Sequence, residues 1–209
     1  SQLISLAMSN KLNRRNFLQQ STLAGASLAG LPLTASAQTP LDKRAAGPLR
    51  VGIIGSGLRG QSHIDLLLRR TDSTVTAICD IDDRMIKRSL ALFEQHKAKA
   101  PQVFKGETSY RELLKDETVD AVLIATPWRW HTEQAVAAMQ AGKYVGMEVS
   151  GAFSVDECWQ LVHTHEATGT PLFFLENVCY RRDVMAVLNM VRQGLFGELV
   201  HLECGYQHD

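Results

Sequence analysis

The sequence carries no net charge: 22 basic residues cancel 22 acidic ones. It therefore has no bulk attraction for nucleic acid or for an anionic membrane surface. Cysteine is scarce. Cys79, Cys158, Cys179 and Cys204 form no Cys-x-x-Cys pair, which excludes a zinc ribbon and a disulfide-stapled miniature fold. His163 and His165 stand two apart, on different faces of a helix, so they are no metal pair either. No metal site is expected. No stretch is long and apolar enough to span a bilayer as a helix. Internal repeats and low-complexity tracts are also missing, which excludes solenoids and fibrous chains. What remains is ordinary globular composition, 45% hydrophobic and 21% charged. The length suits one full domain and part of another.

Residues 1–37 do not read as fold. Arg14-Arg15-Asn16-Phe17-Leu18 is a twin-arginine pair followed by an apolar pair. Residues 21–34 are small and weakly apolar, and Ala35-Ser36-Ala37 is a small-x-small cleavage pattern. This arrangement resembles a twin-arginine export signal, with Met8 as a candidate start and Gln38 as the mature start. The alternative is an amphipathic helix with a chance arginine pair. The expectation is engagement of the twin-arginine export machinery and delivery to the periplasm or beyond. That route carries folded proteins, so the thiols are expected as buried free cysteines rather than disulfides.

Residues 38–48 are polar, with two prolines, and read as a linker. From Leu49 onward, short apolar runs alternate with helical patterns. Strands are expected at 49–54, 75–79, 103–104, 119–125, 144–147 and 172–175. Helices are expected up to Arg70, at 82–100, 110–115 and 131–140, and from the capping box Ser154-Val155-Asp156-Glu157 to Gly169. Nearly all-apolar strands alternating with helices imply a parallel sheet covered on both faces, an α/β doubly wound fold over residues 49–177. A further helix at 183–193 and a strand at 198–204 read as the start of a second, α+β domain over 178–209. A lone strand cannot bury its own face, so the chain is expected to stop inside that domain.

Gly55-Ser56-Gly57-Leu58-Arg59-Gly60 is Gly-x-Gly-x-x-Gly, a weak signal alone. Here it follows a predicted strand and opens a predicted helix, the context that a dinucleotide site requires. Gly55 would permit the tight turn, Gly57 the approach of a pyrophosphate, and Gly60 close packing of helix on strand. The free N–H groups of that helix would meet the pyrophosphate. Asp80 ends the second strand, about 20 residues further on, where a carboxylate accepts from a ribose 2′-hydroxyl and repels a 2′-phosphate. NAD is therefore expected over NADP, with Arg84 close enough in sequence to weaken the preference. Thr126-Pro127-Trp128-Arg129-Trp130-His131 follows the central strand, where loops line the ligand crevice. Trp128 and Trp130 either stack on cofactor or sugar, or pack between domains. His131 is either a ligand or a plain helix-start residue.

Together the glycine loop, Cys79-Asp80, the Thr126-Pro127 turn and the glycine-rich strand 144–147 resemble the glucose–fructose oxidoreductase and inositol dehydrogenase family. In that family the last of these strands leads into Glu-Lys-Pro, whose lysine assists proton transfer at the hydroxyl being oxidised. The matching residues here are Glu148-Val149-Ser150. Valine carries no proton, so ordinary dehydrogenase chemistry is disfavoured. Glu148-Val149, Glu157-Cys158-Trp159, Leu175-Glu176-Asn177-Val178-Cys179-Tyr180 and Gly205-Tyr206-Gln207-His208-Asp209 are similar to one branch, glycoside hydrolase family 109, NAD-dependent α-N-acetylgalactosaminidases. The resemblance implies NAD contacts at Leu58, Arg59, Asp80, Trp128, Arg129, Trp130, His131, Glu148, Val149 and Asn177, and a substrate contact at Tyr206. Tyr180 and His208 are the candidates for acid–base catalysis. Tyr180 could instead hydrogen-bond across a domain junction, and His208 could be a satisfied strand-end histidine.

Most glycosidases use two carboxylates. The resemblance implies another route. Bound NAD takes hydride from sugar carbon three, a base removes the acidified hydrogen at carbon two, and the glycosidic oxygen leaves by elimination. Water then adds and the hydride returns. The implied partner is a small-molecule glycoside or glycan, and sheet pairing in the family's second domain implies a homo-oligomer as one arrangement. The rival readings are a plain NAD-dependent sugar or polyol dehydrogenase, which would accumulate NADH, and a non-catalytic sugar-responsive NAD-binding protein.

Overall fold

A computed structural model describes residues 47–205. Six strands form one parallel sheet: β1 (Leu49–Ile54), β2 (Ser73–Asp80), β3 (Gln102–Lys105), β4 (Ala121–Ile124), β5 (Tyr144–Met147) and β6 (Leu172–Phe174). Their spatial order is β3-β2-β1-β4-β5-β6, the doubly wound arrangement whose order reverses beside β1. The strands are apolar on both sides because both faces are covered. On one face, α1 (Leu58–Leu68) and α2 (Asp83–Gln95) bring Ile64, Ile86 and Phe93 against Val51, Ile53 and Ile78. On the other, α3 (Tyr110–Lys115), α4 (His131–Gln140) and α5 (Val155–Thr168) bring Leu113, Met139 and Leu161 against Val122, Ile124 and Val145. Ile54 pairs with Cys79 and Ile124, and Ile124 with Met147, so the carboxyl ends of the four central strands finish level. The loops that follow them converge on one crevice. No described helix is long and apolar enough to cross a membrane.

The element order agrees with the sequence reading, and the differences are local. α2 ends at Gln95 instead of residue 100. Lys97 adopts a left-handed φ of 54°, and Lys97 N and Ala98 N donate to the Glu94 and Phe93 carbonyls. This is a Schellman stop with lysine where glycine is usual. The Ser154 hydroxyl accepts from Glu157 N at 3.1 Å as the capping box requires, but Glu157 returns to Phe153 N, one residue early. After β6 come a 3₁₀ turn, Val178–Tyr180, and α6 (Arg182–Arg192). Residues 198–204, expected as a strand, are irregular. A strand exists only against a ladder partner, and no described residue pairs with them. Cysteine also departs from expectation. All four thiols are free, but only Cys79 is buried.

Candidate functional site

The crevice begins at the turn between β1 and α1. Gly55 has a φ of +89°, and a Cβ there would press on the Ala125 backbone at 2.8 Å. A Cβ on Gly60 would run into the Gly55 carbonyl oxygen, so turn and helix close on each other only with glycine at both places. Gly57 differs: a Cβ there would meet nothing within 4 Å. Its glycine leaves open space in front of the helix. Gly57 is also the N-cap of α1, makes no side-chain cap, and no acidic residue follows in the first turn. The first N–H groups and the positive end of α1 are thus left for an anion. These features fit a dinucleotide diphosphate.

Asp80, at the end of β2, braces this turn. Its Oδ2 accepts from Ser56 N at 2.6 Å and from Ser56 Oγ at 3.2 Å, and its Oδ1 accepts from Asp82 N at 2.9 Å. The Ser56 carbonyl in turn accepts from Gln61 Nε2 and the buried Ser89 hydroxyl. Arg84 does not face the turn freely. It makes a two-pronged pair with Asp82, at 3.1 and 2.8 Å, which opposes the weakening of NAD preference expected from its position. A cavity of about 290 Å³ joins Gly55, Gly57, Asp80, Thr126, Arg129 and Trp130. It sits where the strand order reverses. Neighbouring Cys79 has its thiol pushed up to about 11 by burial, so it is inert at neutral pH.

Trp128–Trp130 forms a 3₁₀ turn. Trp130 lines the cavity and carries the Arg129 guanidinium 5.4 Å over its ring, a cation–π contact. Trp128 is 56% exposed and lies outside that lining. His131 is fully buried. Its Nδ1 and Nε2 lie 2.7 Å from the Ser150 carbonyl and 2.8 Å from the Thr126 carbonyl. The ring therefore ties two walls of the crevice together, and only the His131 main chain is left to touch a ligand.

Glu148, just beyond β5, is buried. Its Oε1 accepts from Arg59 Nε at 2.6 Å and faces His63 Nε2 at 2.7 Å. Arg59 and His63 share one side of α1, four residues apart. Val149 follows, partly exposed. A second cavity of about 500 Å³ lies between α1 and the chain after β6, lined among others by Arg59, His63, Glu176, Asn177 and Tyr180. The structure thus brings Arg59, Asn177 and Tyr180 to one cavity, and Gly55, Gly57, Asp80, Arg129 and Trp130 to another. Leu58 is exposed at the helix start. Tyr206 and His208 lie outside the described residues. Sequence reasoning missed His63, Ser89 and the Asp82 clamp. His63 carried no signal of its own: only once Glu148 is seen to be buried does that carboxylate call for a partner, and His63 is one turn from Arg59 on the same helix.

Residues 49–175 match the family model described as the oxidoreductase family, NAD-binding Rossmann fold, and residues 180–209 match the glycosyl hydrolase 109 C-terminal domain. An α-N-acetylgalactosaminidase from Tannerella forsythia is 46% identical over 94% of this chain and 45% of its own length. A glycosyl hydrolase family 109 protein from Parabacteroides distasonis is 47% identical, again over 94% of this chain and 45% of its own. The chain spans about half the length of the curated relatives it matches. Among solved structures, scyllo-inositol dehydrogenase from Lactobacillus casei with bound NAD(H) and scyllo-inositol shares the fold. It has a TM-score of 0.64 at 16% identity, covering 72% of this chain and 43% of that one. With the NAD-binding Rossmann model matched over residues 49–175, the chain belongs to the oxidoreductase family of that fold, and its residues 180–209 are similar to the glycosyl hydrolase 109 C-terminal domain.

Proposed function

We propose that the whole protein is an NAD-dependent glycosidase acting on α-N-acetylgalactosaminides in a redox-neutral cycle. One observation carries the reading: the helix that opens the dinucleotide cradle is hydrogen-bonded through Arg59 to a β5 end that reads Glu148-Val149-Ser150. In the dehydrogenases that this chain resembles, a lysine at the position of Val149 commonly assists proton transfer at the hydroxyl being oxidised, and valine carries no proton. The relatives named α-N-acetylgalactosaminidase, from Tannerella forsythia and Shewanella oneidensis, supply the substrate class. The bound cofactor would supply temporary removal and return of a hydride at sugar carbon three.

The chain's own residues do the rest. The open N-terminus of α1, with Gly57, holds the diphosphate. Asp80 accepts from ribose hydroxyls, and Arg129 and Trp130 wall the nucleotide cavity. Arg59, Asn177 and Tyr180 line the second cavity. In this reading the exposed Tyr180 phenol is the candidate to move a proton at a sugar hydroxyl or glycosidic oxygen. Tyr206 as substrate contact and His208 as second proton-transfer group rest on their sequence positions. Residues 178–209 would open the substrate domain. The test is turnover of an aryl α-N-acetylgalactosaminide by the full-length protein. Phenol should appear without accumulating NADH, and in heavy water the released sugar should carry deuterium at carbon two. NADH rising in proportion to substrate would make the protein a dehydrogenase. Sugar without deuterium at carbon two would mean direct two-carboxylate hydrolysis.

Export through the twin-arginine route is part of the same reading, supported by Arg14-Arg15 and Ala35-Ser36-Ala37. Replacing both arginines by lysine should hold the protein in the cytoplasm, and continued export would mean another route.

A further inference from the structure

Glu148 is the only buried acidic residue among those described, at 7% exposure. A carboxylate removed from water needs compensating partners. Both of its partners act on the same atom, Oε1, and both come from α1: Arg59 Nε at 2.6 Å and His63 Nε2 at 2.7 Å. They are not equivalent. The Arg59 side chain is 46% exposed, whereas that of His63 is 13% exposed. His63 is the enclosed partner and Arg59 the one that reaches the surface. Arg59 stands in the first turn of α1, beside the open N–H groups. Glu148 closes β5, on the far side of β4 from β1. The cluster thus pins the strand end at Glu148-Val149 to the turn of helix that faces the diphosphate.

We propose that His63 is a positioning residue of the cofactor site: its Nε2–H holds the Glu148 carboxylate, which in turn fixes the Arg59 guanidinium and the Glu148-Val149 wall around the bound dinucleotide. The inference rests on the NAD reading above. The contact needs only a proton on Nε2, so a neutral ring serves. With His63 lost, Arg59 is the sole partner left on Oε1. The buried carboxylate then draws the guanidinium fully onto itself, and the first turn of α1 loses its adaptable cation. An arginine gripped at Nε alone keeps terminal N–H groups for an anion, while one consumed by a bidentate pair does not.

Two polar variants of the full-length protein separate positioning from packing. A glutamine amide places its nitrogen near the position of Nε2, whereas asparagine is too short to reach it. NAD affinity, read by titration with no sugar present, should stay within about threefold of wild type in His63→Gln. In His63→Asn it should fall about tenfold to a hundredfold, the range of a charge-assisted hydrogen bond. Melting temperatures without nucleotide identify any variant that does not fold. In a Glu148→Gln background the difference between the two His63 variants should vanish, because no charge remains to hold. Equal NAD affinity in folded His63→Gln and His63→Asn, or an undiminished difference in the Glu148→Gln background, would overturn the proposal. Failure of the wild-type protein to bind NAD would instead sink the reading on which it rests. If His63→Asn does not fold, the Glu148→Gln/His63→Asn double variant decides. Its NAD affinity should match that of Glu148→Gln alone, and a further loss would refute the pin.

Discussion

Gly57→Ala should leave the fold intact and remove the cofactor, and the two effects can be measured separately. The backbone at Gly57, φ −65° and ψ −165°, is open to any residue, and its added methyl would meet nothing within 4 Å. Two small terms compete in the unliganded protein. Alanine is a poorer N-cap than glycine, at a cost of about 0.5–1 kcal/mol. It also restricts the unfolded chain, a gain of about 0.4–1 kcal/mol. They nearly cancel, so the melting temperature without nucleotide should move by no more than about 2 °C. Binding is different, because the methyl occupies the space by which a diphosphate approaches the N–H groups of α1.

The assay is thermal unfolding with and without NAD. At a concentration of NAD one hundred times its dissociation constant, wild type gains about 2.7 kcal/mol, and a variant binding a hundredfold more weakly gains about 0.4 kcal/mol. For a chain of this size that is a shift of about 5–10 °C against about 1 °C. Gly60→Ala is the contrasting control. Its Cβ meets the Gly55 carbonyl oxygen, a backbone atom that cannot swing aside, so the unliganded protein itself should lose about 1–3 kcal/mol. A Gly57→Ala protein with wild-type NAD stabilisation would refute the placement of the diphosphate. One that melts far below wild type without NAD would refute the open space.

Asp80→Ala should weaken NAD by about 1.5–3 kcal/mol and narrow the discrimination against NADP, measured by titration with both nucleotides. It also strips Ser56 N of its acceptor, so the unliganded protein should melt lower; unchanged cofactor preference would remove Asp80 from the site. Asp82→Ala should release Arg84 and raise NADP affinity without a matching change for NAD. The Asp82 carboxyl is held down to about 2 by the Arg84 side chain and main-chain N–H. A depressed carboxyl stabilises the fold above its ordinary value and loses that effect as pH falls toward 2. Asp82→Ala should therefore melt below wild type at neutral pH and converge with it in acid. Parallel curves down to pH 2 would show that the pair does not contribute.

The order of strands and helices was legible because a buried parallel sheet writes itself as short all-apolar runs, and the glycine turn because its three glycines have distinct steric reasons. The end of α2 was not legible, since nothing in its sequence marks Lys97 for a left-handed conformation. Residues 198–204 differ from the reading because strand pattern and strand formation are different things: the apolar alternation is present, but no described residue serves as a ladder partner. The nucleotide cavity could be read from local spacing. The second cavity could not, because Arg59 and Tyr180 stand far apart in sequence and meet only through the crossing of β1, β4, β5 and β6. His63 belongs to the same class, recognisable only once Glu148 is seen to be buried.

Three side chains act as cross-links of the crevice, and their placement suits a cofactor that must not leave in mid-reaction. Asp80 ties the end of β2 to the glycine turn. His131 ties the loop after β4 to the segment after β5. Glu148 ties that same segment to α1 through Arg59 and His63. Each link joins segments that follow different strands, so moving those segments apart breaks a hydrogen bond to a buried or half-buried group, at about 1–3 kcal/mol apiece. An enzyme that releases reduced cofactor after each turnover needs walls that open at that frequency. One that returns the hydride to the same sugar needs the opposite: alignment of cofactor and sugar that outlasts the elimination and the addition of water. Walls linked in this way would suit the borrowed hydride of the proposed cycle.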